Sequence, residues 1–191
     1  MSQSAPSTAQ AARRLLDEYL VVSAQGGDRR AFADLARRWH TRLLSHAWRL
    51  TGDVDLARDA VQSGWIEIAG GLRRLQDPGA FPAWAYRIVS RRCARTIRGL
   101  QQDRRLASHV AAEPAAGSIE PVDMAGADQA ARLHAAIRDL PAAQRAAIAL
   151  FHFEDMSIAE TAVALDVPAG TVKTRLMHAR RTLRAVLEGD A

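Results

Sequence analysis

The feature that most constrains this chain is the spacing of its apolar residues, which recur every three or four positions over almost every segment that reads as ordered. One such series is Phe32, Leu35, Trp39, Leu43 and Ala47, which would share a single helix face. Runs of β-branched residues are few, and glycine and proline stand mainly between the periodic segments. The pattern predicts an all-α protein.

Capping residues and helix breakers divide the first hundred residues into four predicted helices, which we assign to one helical domain over residues 11–100. A polar leader, residues 1–10, is predicted to be disordered. Gly99 is predicted to end the fourth helix. The helices are predicted over about Ala11–Ala24, from Asp28, from Asp53 to before the Asp77-Pro78-Gly79 turn, and from Phe81 or Pro82 to Arg98.

Charge changes sign along the chain, although the total is only 26 Lys plus Arg against 21 Asp plus Glu. Residues 87–105 hold seven arginines and one acid, and residues 171–184 hold five basic residues and no acid. Between these blocks, residues 106–131 hold four acids and no Lys or Arg. We therefore expect two basic surfaces that face a polyanion, joined by an acidic flexible linker over residues 101–127.

The second predicted domain, residues 128–188, carries a helix-turn-helix pattern. Ser157 and Glu160 have the spacing of a capping box, and Asp166-Val167-Pro168 lets the chain turn before a second, basic helix. Val172 and Leu176 would face the core, which leaves the opposite face of that helix for DNA. A solvated basic face is the alternative interpretation of an isolated helix of this kind.

Residues 140–184 resemble region 4 of the extracytoplasmic-function (ECF) sigma factors, a group of the sigma-70 family, over the stretch LPAAQRAAIALFHFEDMSIAETAVALDVPAGTVKTRLMHARRTLR. The first domain is similar to region 2 of the same family. The motifs that carry this second similarity are Gly27-Asp28 with Ala31-Phe32, Asp59-Ala60-Val61-Gln62, and Ala83-Trp84 with Tyr86-Arg87-Ile88. The resemblance covers most of the chain.

The resemblance implies a sigma factor that binds core RNA polymerase, reads and opens promoter DNA, and is controlled by an anti-sigma factor. For the minus 35 promoter element it assigns Thr171, Lys173, Thr174, Arg175 and His178. We also expect Arg180 and Arg181, further along the outward face of the same helix, to bind DNA. For the minus 10 element it assigns the fourth helix and the loop Leu75 to Ala80, where we expect a flipped base to bind. On that helix the spacing of Arg87, Arg91, Arg95 and Arg98 places them along one face that can follow a phosphate backbone, and we expect Arg92 to bind DNA with them. For core polymerase it assigns Asp59, Gln62 and Trp65.

Several positions depart from the family pattern or allow two interpretations. Ser63, Ala69, Gly70 and Gly71 are unusual for the helix that faces polymerase. Trp65 is explained equally well as a core aromatic or as an interface residue. Phe81 and Tyr86 could each lie in the core or stack on a base, whereas Trp84 and Ile88 are expected in the core.

Two other regulators fit parts of the sequence: a stand-alone helix-turn-helix repressor or activator, and a sigma mimic that titrates an anti-sigma partner. An enzyme is disfavoured, because phosphate-loop, HExxH and nucleophile-elbow patterns are missing. His152 and Glu154 are expected on a helix surface and not as a catalytic pair. Cys93 is the only cysteine, which excludes an internal disulfide. We expect a cytoplasmic protein with no cofactor, no metal and no membrane insertion.

Overall fold

The computed structural model of the chain describes residues 8–108, 132–133 and 135–188. Within those ranges every regular element is a helix, so the all-α prediction is confirmed. Residues 1–7 of the predicted leader, and most of the predicted acidic linker, lie outside the described residues. No helix in the described part combines the length and the apolarity that crossing a bilayer requires.

Four helices form the first unit: α1 (Thr8–Gln25), α2 (Arg29–Thr51), α3 (Val54–Gly71) and α4 (Phe81–Ser108). Two 3-10 turns, Leu72–Arg74 and Pro78–Ala80, connect α3 to α4. The predicted caps are present. Asp28 accepts hydrogen bonds from the amides of Arg30 and Ala31, and Asp53 caps α3 in the same way. Each cap satisfies amide groups that the first helical turn leaves without partners.

The helix ends differ from the prediction in two places. Helix α1 begins at Thr8, three residues before the predicted start. Helix α4 passes through Gly99 and ends only at Ser108, so residues 101–108, assigned to the linker, are helical. The stop at Gly99 was wrong because one glycine costs a helix only about 1 kcal/mol, and the residues after it, LQQDRRLA, are mostly strong helix formers.

Aromatic residues fill the core of this unit. Trp39 packs edge-on against Phe81 and Tyr86, with ring centroids 5.5 and 5.9 Å apart. Phe81 and Tyr86 are both fully buried, so both are core residues. His46 is buried beside them and its Nε2 lies 2.8 Å from Ser90 Oγ. Burial, and then the charge of Arg49, lower the pKa of His46 to about 3, so its ring is neutral near pH 7.

The second unit is built from shorter helical pieces. Helical residues 132–133 and 135–139 precede α5 (Ala142–Ile148), which continues into a π-helical turn, Ala149–Phe153. Two further helices follow, α6 (Ile158–Leu165) and α7 (Ala169–Glu188). Their shared core consists of Ala136, Ile137, Leu140, Ala147, Ile148, Val172, Leu176, Ala179 and Leu183. The predicted inward positions of α7 are therefore confirmed.

The two units pack directly against each other, a point that the sequence left open. Helix α6 lies against α4, and α5 contacts α2. Four buried residues of the second unit, Ala146, Leu150, Met156 and Ala164, join the apolar core of the first. The linker therefore connects two units that share a buried interface.

Candidate nucleic-acid interface

The helix-turn-helix is held by a complete capping box and a left-handed turn. Ser157 Oγ accepts a hydrogen bond from the Glu160 amide at 3.1 Å, and Glu160 Oε2 accepts one from the Ser157 amide at 2.7 Å. Asp166 ends α6 with φ 55° and ψ 47°, a left-handed conformation that Asp tolerates better than most residues. These local interactions set the angle at which α7 leaves α6.

The outward face of α7 carries the residues predicted to read DNA. Lys173 and Thr174 are exposed near the start of the helix, and Thr171, Arg175 and His178 are half-buried beside them. Thr174 Oγ1 donates to its own helix backbone, at the Gly170 carbonyl, 3.1 Å away. The first two turns of α7 therefore present a cation and short polar groups suited to phosphates and base edges.

The two arginines further along α7 that were predicted to bind DNA, Arg180 and Arg181, make different contacts. Arg180 covers the ring of Phe151 at 5.5 Å, and its Nη2 lies 3.3 Å from Nε2 of His152. Burial, and then the charge of Arg180, lower the pKa of His152. Arg181 instead lies 3.3 Å from Nδ1 of His178. The seven residues predicted on α7 therefore do not form one continuous patch.

On α4 the predicted arginines differ in their partners. Arg91 and Arg92 both bind the carboxylate of Glu67 on α3, Arg92 through Nη2 at 2.7 Å. Arg87 pairs with Asp166 of the second unit at 2.8 Å. Arg95 and Arg98 are exposed, and Arg98 Nε donates to the backbone carbonyl of Ala94. The predicted arginines in the N-terminal half of α4 are therefore ion-paired, and those further along the helix are exposed.

Helix α1 supports the loop that connects α3 to α4. The side-chain amide of Gln25 donates two hydrogen bonds, to the carbonyls of Leu72 at 2.9 Å and Leu75 at 2.7 Å. Asp77 accepts a hydrogen bond from the Gly79 amide at 2.9 Å. These bonds hold the backbone of the loop Leu75–Ala80, where we predicted that a flipped base binds. Sequence reasoning missed Gln25 because nothing local links it to this loop.

A shallow apolar groove of about 550 Å³ runs between α2 and α3 and is lined by His40, Arg58, Gln62, Trp65, Ile66 and Ala69. Gln62 and Asp59 are exposed, and Trp65 is half-buried, with its ring against Phe32 at 6.1 Å. Trp65 therefore belongs to the core and to the groove at once. Ile66 was not predicted as a site residue, yet 72% of it is exposed. Its one sequence signal is that it lies off the apolar face of α3.

The prediction for Glu154 was wrong, whereas His152 is exposed as expected. Glu154 is buried between the two units, where Arg42, Arg49 and the Tyr86 hydroxyl surround its carboxylate. A buried carboxylate is tolerated only with charged and hydrogen-bonding partners, and here all of them come from the first unit.

Comparisons with family patterns and with individual proteins all point to the same family. The pattern of sigma-70 region 2 matches residues 35–103 and that of sigma-70 region 4 matches residues 130–183. The chain is similar to the RNA polymerase sigma-H factor of Pseudomonas aeruginosa, with 30% identity over 90% of this chain and 94% of that protein. It is 33% identical to the ECF RNA polymerase sigma factor SigM of Mycobacterium tuberculosis, over 90% and 84% of the two chains.

A solved structure shows the same fold. It is the sigma factor RpoE from Bartonella quintana in complex with the anti-sigma factor NepR, with a TM-score of 0.66 and 22% identity over 84% of this chain and 98% of that one.

Proposed function

Because this chain belongs to the ECF group of the sigma-70 family, we propose that it binds core RNA polymerase and directs it to promoters through two DNA-reading surfaces. In this role it acts as a non-enzymatic initiation factor in the cytoplasm, where the polymerase and the promoter are. An anti-sigma factor controls it in this proposal, which is supported by the similar fold of RpoE in its complex with the anti-sigma factor NepR.

The observation that carries the DNA-reading role is the outward face of α7. That helix follows a capped helix and a tight turn, and it presents Lys173 and Thr174 to solvent while Val172 and Leu176 hold it to the core. No acidic residue occurs between Ala169 and Leu187, so no carboxylate in that part of the helix repels a phosphate backbone. We assign the minus 35 element to Thr171, Lys173, Thr174, Arg175 and His178, with Arg180 and Arg181 as phosphate contacts.

Helix α4 and the preceding loop serve the minus 10 element in this proposal. Arg95 and Arg98 are available to phosphates, whereas Arg87, Arg91 and Arg92 must exchange carboxylate partners for DNA. That exchange is electrostatically feasible because a phosphate replaces a carboxylate as the acceptor of the same guanidinium hydrogen bonds. The loop Leu75–Ala80 then receives an unstacked base.

The apolar groove on α3 is the surface we assign to core polymerase. Asp59 and Gln62 supply exposed polar groups, and Trp65 with Ile66 supplies an apolar centre. Protein interfaces commonly combine an apolar centre containing an aromatic residue with a polar rim. The unusual Ala69 deepens the groove because its side chain is small.

The decisive experiment is run-off transcription with purified core polymerase, the full chain and the DNA upstream of its own gene. A discrete start site that depends on the protein supports the proposal. If no transcript forms, a pull-down separates the outcomes: binding to core polymerase means that another promoter must be supplied, and failure to bind rejects the sigma assignment. Binding to duplex DNA as a dimer without polymerase would favour a stand-alone regulator.

Lys173→Ala tests the assigned DNA face within that assay. Loss of one phosphate or base contact should weaken promoter binding by about 1–3 kcal/mol and reduce the salt dependence of binding by about one charge. Arg29→Ala is the matched control, because Arg29 is an exposed cation in the first turn of α2, outside the assigned surfaces. Equal losses in both variants would contradict a specific role for Lys173.

A further inference from the structure

The interface between the two units has a carboxylate at its centre. The Glu154 side chain, which follows the π-helical turn of the second unit, is only 5% exposed. Its Oε1 lies 2.9 Å from Arg49 Nη1 and its Oε2 lies 3.4 Å from Arg42 Nε, while the Tyr86 hydroxyl donates to Oε2. We call Arg42, Arg49 and Tyr86 the carboxylate socket of the first unit.

The socket is ordered by its own neighbours. The guanidinium of Arg42 covers the ring of Trp39 at 4.5 Å, and that of Arg49 covers the ring of Phe153 at 4.4 Å. Cations over aromatic faces are attracted by the ring and held in orientation. Without Glu154 the two arginines of the socket would have no carboxylate between them. Without the socket, Glu154 would be a buried charge that lacks a partner. The second unit therefore supplies the carboxylate that the socket arginines bind, and the first unit supplies the partners that a buried carboxylate needs.

This docking also covers part of the surface assigned to the minus 10 element. Helix α6 lies along α4 and buries Ala164 there. Asp166, at the turn of the helix-turn-helix, binds Arg87 at 2.8 Å. A third contact, Arg14 with Glu160 at 3.2 Å, joins α1 to the cap of α6. The charge of Arg87, which is assigned to the minus 10 element, is thus neutralised by the second unit, which is assigned to the minus 35 element.

The docked arrangement is too short to span a promoter. Helix α4 contacts α6 and α6 contacts α7, so the two DNA-reading helices are separated by two helix-packing distances of about 8–10 Å each. Elements centred at minus 10 and minus 35 are about 25 base pairs apart, or about 85 Å at about 3.4 Å per base pair. The two helices cannot occupy both elements until the interface opens.

We propose that Glu154 in its socket is an electrostatic latch that holds the free protein closed, and that release of this latch exposes α4 and allows the two units to separate on DNA. The effect of opening at a promoter rests on the proposed function. The closed state itself is a property of the free chain and is measured without polymerase.

The test uses Glu154→Gln, which removes the charge and keeps the shape. Asp155→Asn is the matched control, because it removes a neighbouring exposed carboxylate at a position with φ 52° that Asn tolerates. Spin labels are attached to cysteines introduced at the exposed positions Ala33 on α2 and Thr182 on α7. The native Cys93 is buried, and burial raises the pKa of its thiol to about 12, so it remains unlabelled.

Pulsed electron resonance then measures the distance between the labels in the free full chain. We expect one short distance for the wild type and for Asp155→Asn. For Glu154→Gln we expect an additional longer distance, with the ratio of open to closed molecules raised at least tenfold. A wild-type distribution in Glu154→Gln, or a long distance already dominant in the wild type, would overturn the latch.

A second variant guards against misfolding. Tyr86→Phe removes one hydrogen bond from the socket and keeps the ring that fills the core, and near-ultraviolet circular dichroism checks that the core of each variant is intact. Tyr86→Phe should open the chain to a smaller extent than Glu154→Gln. If both variants keep their core and neither opens, the latch is rejected.

A binding assay connects opening to the covered helix. A fluorescent 20-nucleotide single strand of random sequence is titrated with each free protein at low salt. Glu154→Gln should bind at least threefold more tightly than the wild type and Asp155→Asn, and equal affinities would refute the masking of α4. Run-off transcription with the same proteins keeps the two proposals separate: failure of the wild type there rejects the sigma role without changing the distance result.

Discussion

The adjacent glycines at the end of α3 provide a matched pair of substitutions with opposite expected signs. An ideal Cβ at Gly71 would lie 2.9 Å from Cζ2 and 3.3 Å from Cη2 of Trp84, whereas a Cβ at Gly70 would meet nothing within 4 Å. Normal carbon contacts are about 3.5–4.0 Å, so Gly71→Ala pushes the indole of Trp84 by roughly 0.6 Å or more. Gly70→Ala adds a methyl group in open solvent.

The magnitudes follow from two opposing effects. Replacing a helical glycine by alanine gains up to about 1 kcal/mol, because the unfolded chain loses less freedom on folding. Overpacking a well-filled site costs about 1–3 kcal/mol. We therefore expect Gly70→Ala to raise the free energy of unfolding by about 0.5–1 kcal/mol. Gly71→Ala should lower it by about 0–2 kcal/mol.

Urea unfolding of the full chain, followed by tryptophan fluorescence and circular dichroism, measures both values. The difference between the two variants, about 1–3 kcal/mol, corresponds to roughly 2–12 °C in Tm for a protein of this size. If Gly71→Ala is as stable as Gly70→Ala, the close packing of α3 against Trp84 is not what requires glycine there.

Three further predictions concern buried and surface charges and the groove. Because the pKa of His46 falls on folding, the unfolded chain binds more protons than the folded chain below pH 6.5. The free energy of unfolding should therefore fall by up to about 1.4 kcal/mol per pH unit as the pH is lowered from 6.5 towards 3. Denaturant titrations of the wild type and of His46→Gln at several pH values measure this, and the variant should lack the contribution of His46 to the pH dependence. Ile66→Glu should weaken core polymerase binding about tenfold, because it places a charge in the apolar groove. Glu67→Gln should strengthen binding to single-stranded DNA and steepen its salt dependence, because it releases Arg91 and Arg92 from their carboxylate.

The controls for these variants are chosen on the same chain. Val22→Glu places the same charge on an exposed apolar residue of α1, outside the groove, and should leave polymerase binding unchanged. Asp55→Asn removes an exposed carboxylate that pairs with Arg58, and should leave single-strand binding close to that of the wild type. An unchanged acid slope in His46→Gln, or equal effects in a variant and its control, would contradict the corresponding argument.

Much of the fold was predictable because its signals are local. The capping box joins Ser157 to a residue three positions away, and Asp28 caps the amides of the next residues in sequence. Apolar spacing alone predicts that Val172 and Leu176 lie in the core of the second unit, and both are buried there. Where a local signal was weak, the prediction failed: Gly99 lowers helix stability by too little to end α4 against the helix formers that follow it.

The sequence by itself therefore determined the helices, the helix-turn-helix and the family, since periodicity, caps and motif spacing act over a few residues. Only the tertiary structure decided which charged side chains form ion pairs within the protein and which are left exposed to a partner. Glu154 meets Arg49 across 105 residues, and Arg92 meets Glu67 across 25, so no pattern along the chain links them. The energy of such a pair depends on distance and on burial, and both are set by how the two units pack.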